Sequence, residues 1–463
     1  MKELKIFKKK ISGDIETPIT LYKKYVNDDV GILLESRDSI KGRYSFIGKN
    51  PFIVIESNEL NINIKKDGKV IEKNGKVLDT IKEEIENIKI IEDKSLPFCG
   101  GAVGVIGYDI IKQYEKLPRT NPDSLNLPES NMMFLTEFIM YDHYHQDISI
   151  IVLEEKNNEE LAYKRIEEIE NIIKTTTLPI DFYNINKIKI ENEAKSNTTK
   201  EEFINMVKKA KKYIFEGDIF QVVLSQRWTL ETKEHPFNLY RKLRSLNPSP
   251  YLFYFNFGDY QVAGSSPEML VEVRGNEVFN CPIAGTRRRG KDEKEDLLLA
   301  KELLNDEKEK AEHIMLVDLA RNDMGRIAKI GSVEVTEFMQ VHYYSHVMHI
   351  VSLVEGEKRD DKDSFSVLSS FLPAGTLSGA PKIRAMEIIE ELEKEKRGIY
   401  GGAAGYFSYN SDMDTCIAIR TMIIKENKVY MQAGAGITSD SNPEMEYEET
   451  RNKVKALLTA IKS

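Results

Sequence analysis

The chain has 463 residues, 41% of them hydrophobic and 30% charged, with a formal net charge of −9. That length predicts about two to four domains, or fewer if one is a large sheet-based unit. The acidic balance argues against a nucleic-acid platform, and no stretch reaches the roughly 18–20 apolar residues of a membrane span. Three widely spaced cysteines, Cys99, Cys281 and Cys416, make neither a disulfide framework nor a zinc motif. The Lys-rich opening MKELKIFKKK runs into ISGDIETPIT and not into an apolar stretch, so no secretory signal is expected and a cytoplasmic location is the default.

In chain order, the front part reads mainly as β. A helix is predicted over 17–27, then strands over 30–36, 43–48 and 51–57. Asp67-Gly68 and Asn74-Gly75, each between apolar runs, are hairpin signals. A helical segment over 77–88 leads to a Gly-rich strand over 98–108, where glycine implies close backbone approach or a bulge. Strands are predicted over 132–141 and 148–153, and a charged amphipathic helix over 158–175. A polar, aperiodic stretch at 190–199 marks a boundary, which divides the chain into a front part of 1–190 and a back part of 199–463. Thr199 and Glu202 form a capping box for the helix that follows.

The back part holds the ionisable residues. Along 219–229, Phe220, Val222, Leu224, Gln226 and Trp228 share one face of a strand, and Gln221, Ser225 and Arg227 share the other. A polar face usually meets solvent, yet this one carries no Lys or Glu. On a helix over 306–323, Glu309 and Glu312 extend the apolar stripe of Leu316, Leu319 and Ala320. They are either a solvated acidic helix start or a pair that calls for a cation. A second pair, Glu446 and Glu449, opens another helix capped by Asn442 with Pro443 in its first turn, and Lys453 follows four residues on. Two such helices, if they meet, suit Mg²⁺, which prefers oxygen ligands and often takes only one or two carboxylates. Glycine turns at 284–290, 401–405 and 433–436 either mark turns or cradle an anion. Arg420, read as lying inside an apolar strand, either pairs with a buried acid or grips a substrate carboxylate. His313 and His349 sit in apolar surroundings, where a satisfied core histidine is the ordinary outcome.

Taken together, SPEML (266–270), PIAGTRRRG (282–290), AEHIMLVDLARND (311–323), VMHIVS (347–352), PAGTLSGAPKIRAM (373–386), IYGGAAGY (399–406), CIAIRT (416–421) and QAGAGITSDSNPEMEYEETRNK (432–453) resemble the chorismate-utilising enzymes, and among them the aminase component of anthranilate synthases. The resemblance implies an α+β fold of large antiparallel sheets packed as a sandwich with flanking helices. It implies Glu312 and Glu449 as Mg²⁺ ligands, with Glu309 and Glu446 holding metal-bound waters. Gly285, Thr286, Tyr400, Arg420, Gly434, Ala435, Gly436 and Lys453 match substrate-binding positions. Glu268 matches the general acid for the departing 4-hydroxyl, and His349 and Thr376 match positions tied to loss of pyruvate. Gln221 stands where water-using relatives carry a lysine base, which fits ammonia as nucleophile. Ala284 stands where many aminodeoxychorismate synthases carry a nucleophilic lysine, and alanine forms no covalent adduct.

LLES (33–36), GRYSFIG (42–48) and NPSPY (247–251) resemble an L-tryptophan feedback pocket, with Ser36, Pro250, Tyr251 and Leu252 as its contacts. The expected activity is therefore conversion of chorismate and ammonia to anthranilate and pyruvate, inhibited by tryptophan. No cysteine lies in a nucleophile-elbow context, so a partner glutamine amidotransferase subunit, and hence a hetero-oligomer, is expected to supply the ammonia. The alternatives are an aminodeoxychorismate synthase component, or a tryptophan sensor without catalysis. Arg288 replaces the proline of the usual GTRPRG turn, and Leu252 replaces a common methionine at nearly constant volume.

Overall fold

The computed structural model describes residues 1–36, 42–91, 96–179, 194–343 and 347–462. Among these residues the strands form two large sheets, one of 13 strands and one of 12. Pairing is antiparallel except where Lys2–Leu4 runs parallel to Ile88–Ile90. The first sheet runs from Gln221–Glu231 through Lys428–Ile437, Thr421–Lys425, Gln261–Ser266 and Tyr251–Asn256. It then passes into the front part through Gly31–Glu35, Tyr44–Lys49, Glu137–Asp142, Asp147–Glu154 and Lys2–Ser12. The second sheet runs from Ile283–Arg288 through Val347–Glu357, Glu277–Asn280, Met269–Arg274, Met413–Ile417 and Ala403–Ser408 to Gly101–Ile106, Ser130–Leu135, Ile53–Asn58, Asn61–Lys66 and Lys69–Asn74. Strands from both parts of the chain share each sheet.

One hydrophobic core lies between the sheets. It joins Ile32, Phe138, Phe253 and Phe255 of the first to Val103, Met133, Val271 and Phe407 of the second. Phe98 is the aromatic link, with ring centroids 5.4 Å from Phe46, 5.0 Å from Phe138 and 4.9 Å from Tyr406. Emptying such a site, as Phe138→Ala would, costs about 3–5 kcal/mol. The outer face of the first sheet is covered by helices Pro18–Tyr25, Glu159–Thr175, Pro236–Leu246 and Pro443–Lys462, which pack Tyr22, Ile166, Tyr240 and Leu457 onto Leu33, Ile47, Tyr254 and Met422. Ile32 and Leu33 thus serve two different cores, which is why this strand lacks polar alternation. On the second sheet, Glu307–Gly325 packs against Ile283–Arg288 and Val347–Glu357. No helix among the described residues is long and apolar enough to cross a membrane.

The expected caps at Thr199 and Asn442 form, and Thr17 adds a third. Thr17 and Thr199 make reciprocal capping boxes, and the Asn442 carboxamide accepts from the backbone of Glu444 and Met445. Asp67 and Gly68, with φ of 51° and 71°, make the tight hairpin between Asn61–Lys66 and Lys69–Asn74. Close approach explains the Gly-rich strand, since a Cβ on Gly104 would lie 2.1 Å from the Asn131 carbonyl oxygen.

Four expectations are corrected. Asn74-Gly75 closes no hairpin, because it leads out of its strand into helix Val77–Glu86. The predicted strand over 132–141 is two strands in different sheets, broken at Thr136 where the chain crosses the sandwich. Phe220 is 73% exposed and precedes its strand, while Gln221, Ser225 and Arg227 are buried. Arg420 lies between Met413–Ile417 and Thr421–Lys425, again at a crossing from one sheet to the other. The predicted boundary at 190–199 falls partly outside the described residues, and its Lys195–Ser196 pairs with the edge strand Gln221–Glu231.

Candidate functional site

Two of the sheet crossings meet and carry chemistry. Pro267 and Glu268 connect Gln261–Ser266 to Met269–Arg274, and residues 418–420 connect Met413–Ile417 to Thr421–Lys425. They are tied together at their bases, where Ile417 N–H donates to the Glu268 carbonyl at 3.0 Å and Ser265 N–H to the Arg420 carbonyl at 3.2 Å. Arg420 has φ of 49°, a left-handed backbone that costs a non-glycine residue roughly 1–2 kcal/mol. The surrounding crossing holds it there. Both side chains line a cavity of about 230 Å³.

Glu268 is 9% exposed. Burial pushes its carboxyl up to about 7, against the opposing pull of the Thr376 hydrogen bond and the charges of Arg420 and Lys453. Thr376 Oγ1 donates to Glu268 Oε1 at 2.9 Å. The Arg420 guanidinium is held below its ordinary value by burial, with Glu268 pulling the other way. It has no hydrogen-bond or ion-pair partner among the described residues. A sunken guanidinium in that state calls for an anion with two oxygens.

A β-bulge shapes the next wall. Ile283–Arg288 shifts register against Val347–Glu357 between Ala284 and Thr286, and Gly285 sits at the shift with φ of 66°. The extra residue puts Ile283 and Thr286, three apart in the chain, on the His349 face of the sheet, and Ala284 lines the cavity as well. His349 Nδ1 lies 2.9 Å from the Gly285 carbonyl and 3.1 Å from Thr286 Oγ1. The carbonyl only accepts, so Nδ1 carries the proton and Nε2 the lone pair. Burial lowers the pKa of the ring, which favours the neutral form.

The floor comes from the paired strands Gln221–Glu231 and Lys428–Ile437. Gln432, Gly434 and Gly436 face the cavity together with Gln221 and Val223. Ala435 points the other way, into the core with Leu224, because strand side chains alternate. A Cβ at position 436 would lie 2.6 Å from Gln221 Nε2, so glycine there makes room for the amide. Gln221 is 4% exposed, and its Oε1 has no partner among the described residues. Tyr400 caps this side, and Lys453 Nζ donates to the Gly434 carbonyl at 2.9 Å.

The two acidic helices do converge. Glu312 and Glu449 both line the cavity, and the pKa of Glu312 is raised by burial first, then by Glu309 and Glu449. Glu446 is raised by burial and by Glu449. Mutual repulsion across the gap is the state a divalent cation relieves. Glu309 and Glu446 stand one turn behind and do not line the cavity, and Arg287 Nη1 lies 3.3 Å from Glu309. Among the described residues no three His, Cys, Asp or Glu groups form a closed cage. A Mg²⁺ ion bound by one or two carboxylates and waters requires none. The oxygen-only donor set fits that ion.

A second cavity, of about 480 Å³, opens between the two sheets. Ser36, Pro250, Tyr251 and Leu252 all line it, with Phe46 and Tyr406 among its apolar walls and Glu272, Arg274 and Asp414 among its polar ones. Tyr251 O–H donates to Asp414 Oδ1 at 2.9 Å, and Arg274 Nε to Glu272 Oε1 at 2.5 Å. The front and back contributions are joined by strand pairing of Glu35 with Leu252. A clamp adds to this, since Glu35 accepts from Tyr240 at 2.6 Å and from Arg244 at 2.7 and 2.8 Å.

Sequence reasoning missed several lining residues. Gln432 shares strand parity with Gly434 and Gly436, so its place on the cavity face was available from the alternation. Leu316, Leu377 and Ile419 give the first cavity apolar walls, and no polar pattern flags them.

The chain matches the family model of chorismate binding enzymes over residues 33–459. Anthranilate synthase component 1 of Acetivibrio thermocellus is 52% identical, over 97% of this chain and 94% of that protein. The Aquifex aeolicus protein of the same name is 46% identical, over 97% and 92%. The crystal structure of anthranilate synthase component I from Streptococcus pneumoniae superposes with a TM-score of 0.82 at 40% identity, covering 96% of this chain and 98% of that one. With its cavity, its paired acids and these relatives in view, the chain belongs to the chorismate-binding enzymes, in the anthranilate synthase component I family.

Proposed function

We propose that this chain converts chorismate and ammonia to anthranilate and pyruvate through 2-amino-2-deoxyisochorismate. The observation that carries the reading is the cavity-facing Arg420, a guanidinium with no hydrogen-bond or ion-pair partner among the described residues, near a carboxyl with a pKa of about 7. Chorismate brings two carboxylates, and Arg420 would grip the enolpyruvyl one. Glu268, in its protonated form, would give its proton to the 4-hydroxyl, which leaves as water while the ring double bonds shift and nitrogen bonds to C2. Gln221, a neutral amide, cannot take a proton from water to make a hydroxide, which favours ammonia. Ala284 offers only a methyl group to the cavity, so a lysine-type covalent adduct is excluded at this position. In the second step the neutral His349 ring would accept the C2 proton as the C3–O bond breaks, so that the ring becomes aromatic and enolpyruvate leaves, to gain a proton at its methylene carbon and become pyruvate.

Glu312 and Glu449 would hold Mg²⁺, with Glu309 and Glu446 behind them for its waters, and the ion would supply positive charge to the ring carboxylate. Ammonia would come from a partner glutamine amidotransferase subunit, in keeping with the component 1 name of the relatives. The inter-sheet cavity would bind L-tryptophan as a feedback inhibitor, with Ser36 from the front part and Pro250 to Leu252 from the back.

The test is incubation of the purified chain with chorismate, MgCl₂ and an ammonium salt, with products identified by mass. Anthranilate and pyruvate are expected, lost with a chelator and in Glu312→Gln or Glu449→Gln. Glutamine should not replace ammonium without a partner subunit. Replacing His349 should let the amino intermediate accumulate. Aminodeoxychorismate as the end product, or turnover undiminished by the chelator, would overturn the corresponding assignment.

A further inference from the structure

We propose that Glu393 and Arg397 are positioning residues for the chorismate-processing cavity, an ion pair outside the cavity that holds three of its walls in register. The inference rests on the proposed function of that cavity. Arg397 is 2% exposed and Glu393 6%. Their contact is bidentate, with Arg397 Nε 2.9 Å from Glu393 Oε2 and Nη2 2.6 Å from Oε1. Neither residue lines the cavity.

The remaining side-chain bonds of the pair end on cavity walls or on Ser225, which is tied to one. Arg397 Nη2 donates to the Val223 carbonyl at 2.7 Å, two residues from Gln221. Its Nη1 donates to the Leu377 carbonyl at 2.6 Å, next to Thr376, the hydrogen-bond partner of Glu268. The guanidinium carbon lies over two rings, 5.6 Å from the centroid of Tyr400 and 4.7 Å from that of Tyr108. The Tyr400 hydroxyl lies against the Gly434 backbone, and Lys453 donates to the Gly434 carbonyl. On the other side, Glu393 Oε1 accepts from Ser225 N and Ser225 Oγ, each at 2.8 Å. Ser225 Oγ then accepts from Gln432 Nε2, also at 2.8 Å, and Gln432 lines the cavity.

Four directed hydrogen bonds from one planar guanidinium fix orientations that an apolar pair could not. A buried ion pair contributes little net stability compared with a hydrophobic pair of equal volume. Geometry is therefore what this one supplies. Lysine in place of Arg397 would keep the charge and lose the fork.

The experiment compares Arg397→Lys and Glu393→Gln with the wild-type chain under chorismate, MgCl₂ and ammonium. A positioning role predicts that kcat/KM falls about 10²-fold, mostly in kcat, in chains that still unfold cooperatively. It also predicts that the alkaline limb of the pH profile moves upward. Loosening Leu377 weakens the Thr376 bond that now lowers the Glu268 pKa, so the acid stays protonated to higher pH. A purely structural role would lower the melting temperature and leave kcat, KM and the alkaline limb of the folded protein at wild-type values, and that result overturns the proposal. If the charge variants do not accumulate, Ser225→Ala decides, because it removes one oxygen and leaves the ion pair buried. A loss of between about 2- and 10-fold in kcat/KM supports the proposal, and wild-type values overturn it. A wild-type chain inert to chorismate would overturn the functional reading and this inference with it. Active wild type with unaltered variants overturns this inference alone.

Discussion

The two cavities are built from the same sheets for opposite ends. The smaller one collects groups whose charge states are unsettled: Glu268 raised to about 7, Glu312 raised by burial and then by neighbouring acids, and Arg420 lowered by burial. The larger one has its polar groups paired off, Tyr251 with Asp414 and Arg274 with Glu272. Titratable groups with displaced pKa values mark a place where protons and anions are handled. A pocket of satisfied groups between two sheets is better suited to reading how those sheets are placed. The two are nevertheless one backbone apart. Met269–Arg274 begins beside Glu268 and ends at the second cavity, and Cys416 of that cavity pairs with Met269.

The largest expected separation of the two comes from Glu268→Gln. Removing the acid should lower kcat by about 10²–10⁴-fold, while tryptophan binding measured by calorimetry stays intact. Loss of both would mean that the cavities cannot be perturbed apart.

Ser36→Arg is the converse. It should abolish tryptophan inhibition and leave Mg²⁺-dependent turnover nearly unchanged, as read from anthranilate formation against tryptophan concentration. Equal sensitivity in the variant would remove the regulatory assignment. In the unmodified protein, coupling through the shared strand should make chorismate weaken tryptophan binding by the same factor that tryptophan weakens chorismate binding. A coupling of about 1–3 kcal/mol makes that factor roughly 5 to 150. A tryptophan affinity unchanged by saturating chorismate would show that the two cavities are not coupled.

A pH profile sharpens the contrast further. In the proposed reaction Glu268 acts in its protonated form, and burial raises its pKa to about 7. At constant free ammonia, kcat/KM should therefore fall as pH rises above about 7, approaching tenfold per unit. A rate that stays flat up to pH 9 would assign the proton to another group. The smallest effect is expected from Tyr251→Phe, which removes one hydrogen bond to Asp414. At about 0.5–1.5 kcal/mol, tryptophan affinity should change less than about tenfold and turnover should not change at all.

Much of the local structure was legible in the chain. Caps at Thr17, Thr199 and Asn442, the Asp67-Gly68 turn and the acidic helix faces all follow from interactions within a few residues. Ordered motifs pointed to the family, because so many of them in one chain order do not coincide by chance. Hydrophobic pattern could not tell which sheet a strand joins, since strands such as Gly31–Glu35 are buried on both faces and read alike in either. So 132–141 reads as one strand where the chain crosses at Thr136, and Arg420 reads as a strand residue where it lies, with a left-handed φ, in the crossing that meets the one carrying Glu268. The cavity depends on those crossings, which bring residues 268 and 420 together. Arg397 shows the same limit, because nothing near it in the chain indicates that its guanidinium reaches Val223, Leu377 and Tyr400. Short-range preferences act along the backbone and are written in it, whereas the packing of one sheet on another is decided only once the whole core is buried.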